Sequence, residues 1–276
     1  MLLVANFGPA GLPSALVLTI DNLGEARAIE RGTQPPDAPV GDDPSVTVAL
    51  PWLLDELESV GLTATFFVEA INTELYPDAL KQIAARGHGL GLHGWRHEEW
   101  TSLSAAEERE VFTRSVPAFA TLGLEPRGFR PPGGELNPRT PALLREAGLR
   151  WCSPAGGGAG IRHGLAYVPF DWNFVDAYHL MDAFAGLRAS RGDPQPPLDP
   201  VDLADRWEEE LQDLAATGGR RTVVLHPFLM LDERWSAGVA RLLGFMAELA
   251  RERRTWVVSG DQFVDWLHGS RAALSS

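Results

Sequence analysis

His93 and His97 stand four residues apart in the run Gly87-His-Gly-Leu-Gly-Leu-His93-Gly-Trp-Arg-His97. A helical turn or tight loop brings such a pair to one side, where two neutral imidazoles can hold one divalent cation. By itself the spacing also fits two capping or surface histidines. Their company favours the metal. Asp21 and Asn22 follow the apolar run 16–20, Arg130 sits in Gly128-Phe-Arg-Pro-Pro132, and His226 ends Thr222-Val-Val-Leu-His226. Each is a polar group at the end of a strand-like segment.

Those segments alternate with amphipathic helical patterns, which predicts parallel strands covered by helices, an α/β fold. Strands are expected at 15–20, 64–68, 89–93, 128–130, 150–152, 166–170, 222–226 and 255–258. Helices are expected at 46–60, 77–86, 104–122, 138–147, 200–217, 236–253 and 260–267, and Ser104 with Glu107 forms a capping-box pattern. Segments 22–44, 154–164 and 186–200, rich in Gly and Pro, read as loops. In a parallel α/β unit, loops that follow strands gather at one face, where sites are built. The glycines at 156–160 lack both the strand-GxGxxG-helix setting and the Gly-Lys-Ser/Thr of a phosphate loop, which argues against a nucleotide site.

The 276 residues carry a formal charge of −13. That balance, without a large Arg/Lys cluster, argues against nucleic acid and anionic membranes as partners. Hydrophobic residues at 45% and charged residues at 22% are the proportions of a soluble globular chain with an ample core. No apolar stretch is long enough to span a bilayer, and residues 1–14 lack the basic start of a secretory leader. One cysteine, Cys152, excludes an internal disulfide. The expectation is a cytoplasmic protein forming a single catalytic domain over residues 1–276.

Six motifs in one order resemble the polysaccharide deacetylase (NodB homology) family. They are Thr19-Ile-Asp-Asn22, Ala64-Thr-Phe-Phe-Val68, the His93–His97 segment, Gly128-Phe-Arg-Pro-Pro132 with Leu136-Asn-Pro138, Val168-Pro-Phe-Asp-Trp172, and Val224-Leu-His-Pro227. Together they span residues 15–268 and look most like the branch with peptidoglycan deacetylase-like and allantoinase-like enzymes. The resemblance implies a distorted, incomplete (β/α) barrel of about seven strands and hydrolysis of a non-peptide amide, commonly an N-acetyl group.

It also implies roles. Asp21 would take the water proton, His226 would protonate the departing nitrogen, and Arg130 would orient Asp21. Asn22, His93 and His97 would hold a divalent metal, zinc first, with cobalt, nickel or manganese as alternatives. Pro132, Trp172, Asp171 and Asp176 are candidates on the substrate side, and either aspartate could brace Arg130. Trp95 and Trp100 are further candidate platforms. The first motif departs from the family pattern of two aspartates and a glycine, because this chain has Asp21-Asn22-Leu23-Gly24. Asn22 offers only a neutral oxygen; Glu25 could supply the missing charge, or the site could work without metal. The implied partner is a small-molecule or carbohydrate substrate, with segments 22–44 and 183–200 setting its identity. An allantoinase-like ureide hydrolase and a non-catalytic carbohydrate-binding relative are the alternatives.

Overall fold

In the computed structural model, which describes residues 7–274, nine strands form one sheet. They are Ser14–Asp21 (β1), Thr65–Val68 (β2), Gly89–Leu92 (β3), Gly128–Phe129 (β4), Trp151–Cys152 (β5), Gly160–Arg162 (β6), Leu165–Tyr167 (β7), Gly219–Leu225 (β8) and Trp256–Val258 (β9). Eight of them run in the order β6-β7-β5-β4-β3-β2-β1-β8, and β9 pairs with β1. All neighbours are parallel except β6 and β7. β1 forks the sheet, since Thr19–Asp21 pair with β2 while Ala15–Val17 pair with β9. Between β7 and β8 the ladder is interrupted, and a single bridge from Val175 to Val224 spans the gap. This is the incomplete α/β barrel the sequence leads one to expect.

The additional strand is β6, inside the 154–164 segment read as a loop. His163 and Gly164 both have positive φ, 50° and 82°, and close a two-residue hairpin whose backbone matches the twist of its strands. A His-Gly pair is a weak sequence signal for that turn. The other two expected loops each contain a short helix, Ala26–Glu30 and Ala185–Arg191. The first loop is pinned where Glu25 accepts from the Gly41 amide at 2.5 Å and from the Tyr76 hydroxyl.

All eight residues of β1 are buried, as expected for a parallel strand covered on both faces. Alternation then sorts its side chains. Leu16, Leu18 and Ile20 join the core under the helices, together with Phe66, Val68, Leu90, Leu92, Phe129, Cys152 and Leu225. Ala15 and Val17 face the concave side, where Phe67, Trp151, Ala166 and Val168 pack with Phe263 and Val264 of helix Gly260–Leu274. By the same alternation, the next residues on the concave side are Thr19 and Asp21 of β1, Glu69 after β2, His93 after β3, Arg130 after β4, Ser153 after β5 and His226 after β8. The apolar floor and the polar rim are one set of strand positions.

Gly91 belongs to this floor. A Cβ there would lie 2.6 Å from Phe67 Cδ1 and 3.1 Å from the Gly128 carbonyl, so the floor admits no methyl group. Gly91→Ala is expected to lower the unfolding free energy by about 1–3 kcal/mol, measured as a fall in urea midpoint at constant slope.

Candidate active site

Arg130 lies at the centre of the rim and is 1% exposed. Its Nη1 donates to Asp21 Oδ1 at 2.6 Å and to Thr19 Oγ1 at 3.0 Å. Nε and Nη2 donate to Ser153 Oγ at 3.2 and 2.8 Å. The guanidinium carbon stands 4.4 Å from the Phe67 ring centre and 5.0 Å from that of Phe170. Burial pulls this guanidinium below its ordinary pKa, and the Asp21 carboxylate opposes the pull. Neither Asp171 nor Asp176 braces it, which corrects the sequence expectation. Asp171 is exposed, where it caps the Asn173 amide and pairs with Arg191 at 3.3 Å.

Asp176 serves a different partner. Its Oδ1 is 2.5 Å from His226 Nδ1, and its Oδ2 accepts from the His226 amide at 2.8 Å and from Trp235 Nε1 at 3.3 Å. Nδ1 therefore faces a carboxylate and Nε2 remains for chemistry. The opening residue of helix Asp176–Leu180 thus orients a histidine at the end of β8.

His93 Nδ1 is 2.8 Å from the Arg130 carbonyl. A carbonyl only accepts, so Nδ1 carries the proton and Nε2 is left as a ligand atom. Burial pushes the His93 pKa down to about 3 and holds His97 well below its ordinary value, so both rings are neutral near pH 7. The two rings stand edge to face with centres 4.9 Å apart. The connection between them is a tight turn. Gly94 and His97 adopt φ of 79° and 71°, and Glu98 accepts from the Trp95 and Arg96 amides at 2.9 and 3.0 Å. A Cβ on Gly94 would collide with the Glu98 carboxylate.

Sequence reasoning missed Glu69. Backbone bonds from His93 to the Val68 carbonyl and from Ala70 to the Gly94 carbonyl hold the ends of β2 and β3 together. Ligand atoms of Glu69, His93 and His97 consequently lie within 4.8 Å of one another. Glu69 is 1% exposed and accepts from the Leu23 amide at 3.3 Å; burial drives its pKa up to about 8. The available signal was its place directly after an apolar strand run, the position that Asp21, Arg130 and His226 also occupy. Asn22, at φ 60°, lines the same cavity, and its Oδ1 is buried without a hydrogen-bond partner. Glu25 is committed to Gly41 and Tyr76 and does not supply the charge that Asn22 lacks.

These groups open on a cavity of about 200 Å³ whose lining includes Asp21, Asn22, His93, His97, Arg130 and His226 beside Phe170, Trp172, Met181, Phe184 and Phe228. Trp172, a candidate platform from the sequence, is part of this lining. Pro132 lines a neighbouring depression with Trp100, while Pro131 faces this one. Trp95 is buried under Arg114, whose guanidinium carbon lies 3.5 Å from its ring centre.

Residues 40–152 match the polysaccharide deacetylase family model. Over that segment the chain carries a polysaccharide deacetylase family domain. Chitin deacetylase 1 of Saccharomyces cerevisiae is 39% identical over 94 residues, 34% of this chain and 31% of the yeast protein. The chain spans about a third of the length of the first curated relatives it matches. A solved Mycobacterium smegmatis protein assigned to the polysaccharide deacetylases is 25% identical, with a TM-score of 0.80 over 96% of this chain and 93% of its own. PuuE allantoinase shares the fold at a TM-score of 0.76 and 16% identity, over 98% of this chain and 97% of its own. The matched segment contains Glu69, His93, His97 and Arg130; Asp21, Asp176 and His226 lie outside it.

The donor set fits a divalent cation on chemical grounds. Two neutral imidazoles and a buried carboxylate suit zinc and its neighbours, and the partnerless Asn22 oxygen lines the same cavity. Glu69 predicts a pH signature for the deacetylase family domain stripped of divalent ions. Its folded pKa of about 8 lies above the unfolded value, so it contributes stability that is lost as pH rises towards 8. The depressed histidines act in the opposite sense, and their effect is complete above the unfolded histidine pKa of about 6.5. Between about pH 6.5 and 8 the stripped protein should therefore lose stability at about 1 kcal/mol per pH unit, and Glu69→Gln should flatten that slope in denaturant titrations.

Proposed function

We propose that this chain is a metal-dependent hydrolase that cleaves a non-peptide amide bond, removing an acyl group from an N-acylated amine or sugar, and that it works as one catalytic unit. The observation that carries this reading is the convergence, on one cavity, of a Glu-His-His donor set, a buried Asp21–Arg130 pair and a carboxylate-oriented His226. Amide hydrolysis needs all three kinds of group.

Glu69, His93 and His97 would hold the cation, with Asn22 as a neutral fourth donor; zinc suits this set best, and cobalt, nickel and manganese are alternatives. Bound there, it supplies a Lewis acid for the amide carbonyl and the attacking water. Asp21 accepts the proton that water loses as its oxygen joins the carbonyl carbon. Arg130 holds that carboxylate in place. His226, held through Nδ1 by Asp176, delivers a proton from Nε2 as the carbon–nitrogen bond breaks, so the amine leaves neutral. Proton return from Asp21 to solvent and reprotonation of His226 reset the site. Trp172 and Phe170 offer an apolar wall to the acyl or amine portion. A ureide amide is the second substrate class, favoured by a cavity of about 200 Å³ that suits a small molecule.

Protein purified without chelator should hold about one divalent ion per chain, strongly depleted in Glu69→Gln and His97→Ala variants that retain the fold. Wild type should release acetate from simple N-acetyl amines. Asp21→Asn should keep the metal and lose about 10²–10⁴-fold in kcat. A metal-loaded wild type that hydrolyses neither N-acetyl amines nor ureides would remove the hydrolase reading. Metal retained in both ligand variants would remove this donor set.

A further inference from the structure

Two cavity-lining residues have no part in the chemistry above. Arg27 and Arg31 are one turn apart at the helix Ala26–Glu30 and both line the active-site cavity. Residues four apart on a helix share a face. Arg27 is half-buried, and its Nε is sealed from solvent without a hydrogen-bond acceptor. Among the described residues neither arginine is in an ion pair, whereas twelve other arginines are. Of the carboxylates beside the cavity, Asp21 is committed to Arg130, Glu98 to two backbone amides, and Glu69 to the Leu23 amide and the histidine cluster; Glu30, Glu99 and Glu135 lie with Arg31 around the neighbouring depression and not around this cavity. The two guanidiniums also repel each other: burial first and Arg31 second depress the Arg27 pKa, against an opposing pull from Glu69.

We propose that Arg27 and Arg31 form an anion subsite, and that the substrate is a small N-acylated amine bearing a carboxylate and an apolar group, of the N-acyl amino acid type. This inference rests on the hydrolase reading for the acyl portion and on the arginine pair for the carboxylate. A carboxylate supplies the acceptor geometry that a guanidinium fork lacks here, and it relieves the repulsion between the two cations. The apolar group matches the rest of the lining, where Phe170, Trp172, Met181, Phe184 and Phe228 dominate. A neutral sugar unit would leave both guanidiniums without an ion-pair partner inside the cavity and turn its hydroxyls to a largely apolar wall. Arg31 also borders the neighbouring depression, which places it at the mouth of the cavity.

The test pairs charged and neutral isosteres. Phenylacetate and phenylacetamide are titrated calorimetrically into wild type and into Arg27→Gln and Arg31→Gln proteins whose folding is matched by circular dichroism. Acetate release from N-acetylphenylalanine and from its C-terminal amide is measured on the same preparations. Phenylacetate should bind wild type roughly tenfold or more tightly than phenylacetamide, and Arg27→Gln should abolish most of that preference. The kcat/KM ratio of acid to amide should fall in parallel. Equal binding of the two probes, binding of neither, or a preference that survives Arg27→Gln, as for a carboxylate held by metal, overturns the anion subsite. If the binding preference holds but neither N-acetyl compound is cleaved, the arginine subsite stands and the N-acyl amino acid substrate falls. Equal cleavage of acid and amide keeps the hydrolase reading and removes the arginine subsite.

Discussion

Arg130 ties the site together through both its side chain and its backbone. The guanidinium fixes Asp21 at the end of β1 and Ser153 after β5, lies against Phe67 of β2, and reaches Phe170 beyond β7. Its carbonyl fixes the tautomer of His93 after β3. A buried ion pair of this kind gains little over an apolar replacement of both partners, yet losing one partner leaves an uncompensated charge at a cost of about 3–5 kcal/mol. The pair therefore does more for arrangement than for net stability. It keeps the strand ends in register, with a guanidinium and a carboxylate each supplying the partner the other needs when buried.

The remaining charges are distributed around that centre by the same principle. His226 has its own carboxylate, Asp176, and the two dyads draw on different parts of the chain. Glu69 has no guanidinium at ion-pair distance among the described residues; its company is a pair of neutral imidazoles and backbone or amide donors. That contrast separates the carboxylate suited to proton transfer from the one suited to a cation. The carboxyl group absent from the loop after β1 has a counterpart in space in Glu69 after β2.

Much of this was legible in the sequence. Buried apolar runs and helical periodicity located every strand except β6, and polar residues at run ends marked Asp21, His93, Arg130 and His226 as neighbours in a parallel sheet. The partners of those residues were less legible. Asp171 and Asp176 are five positions apart in one motif, and their types are identical; only the turn into helix Asp176–Leu180 carries one beneath His226 and leaves the other in solvent. β6 was missed because its turn pair is His-Gly, and Glu69 because a single glutamate after a strand has many ordinary roles.

The sequence by itself determined the elements, the parallel order they imply, and the kinds of chemistry available, because hydrophobic periodicity and residue type act over a few neighbouring positions. The tertiary structure alone decided which carboxylate meets which cation or imidazole. The Asp176–His226 and Asp21–Arg130 pairings join residues 50 and 109 positions apart, and they depend on strand register and on the curl of the sheet, neither of which any local pattern encodes.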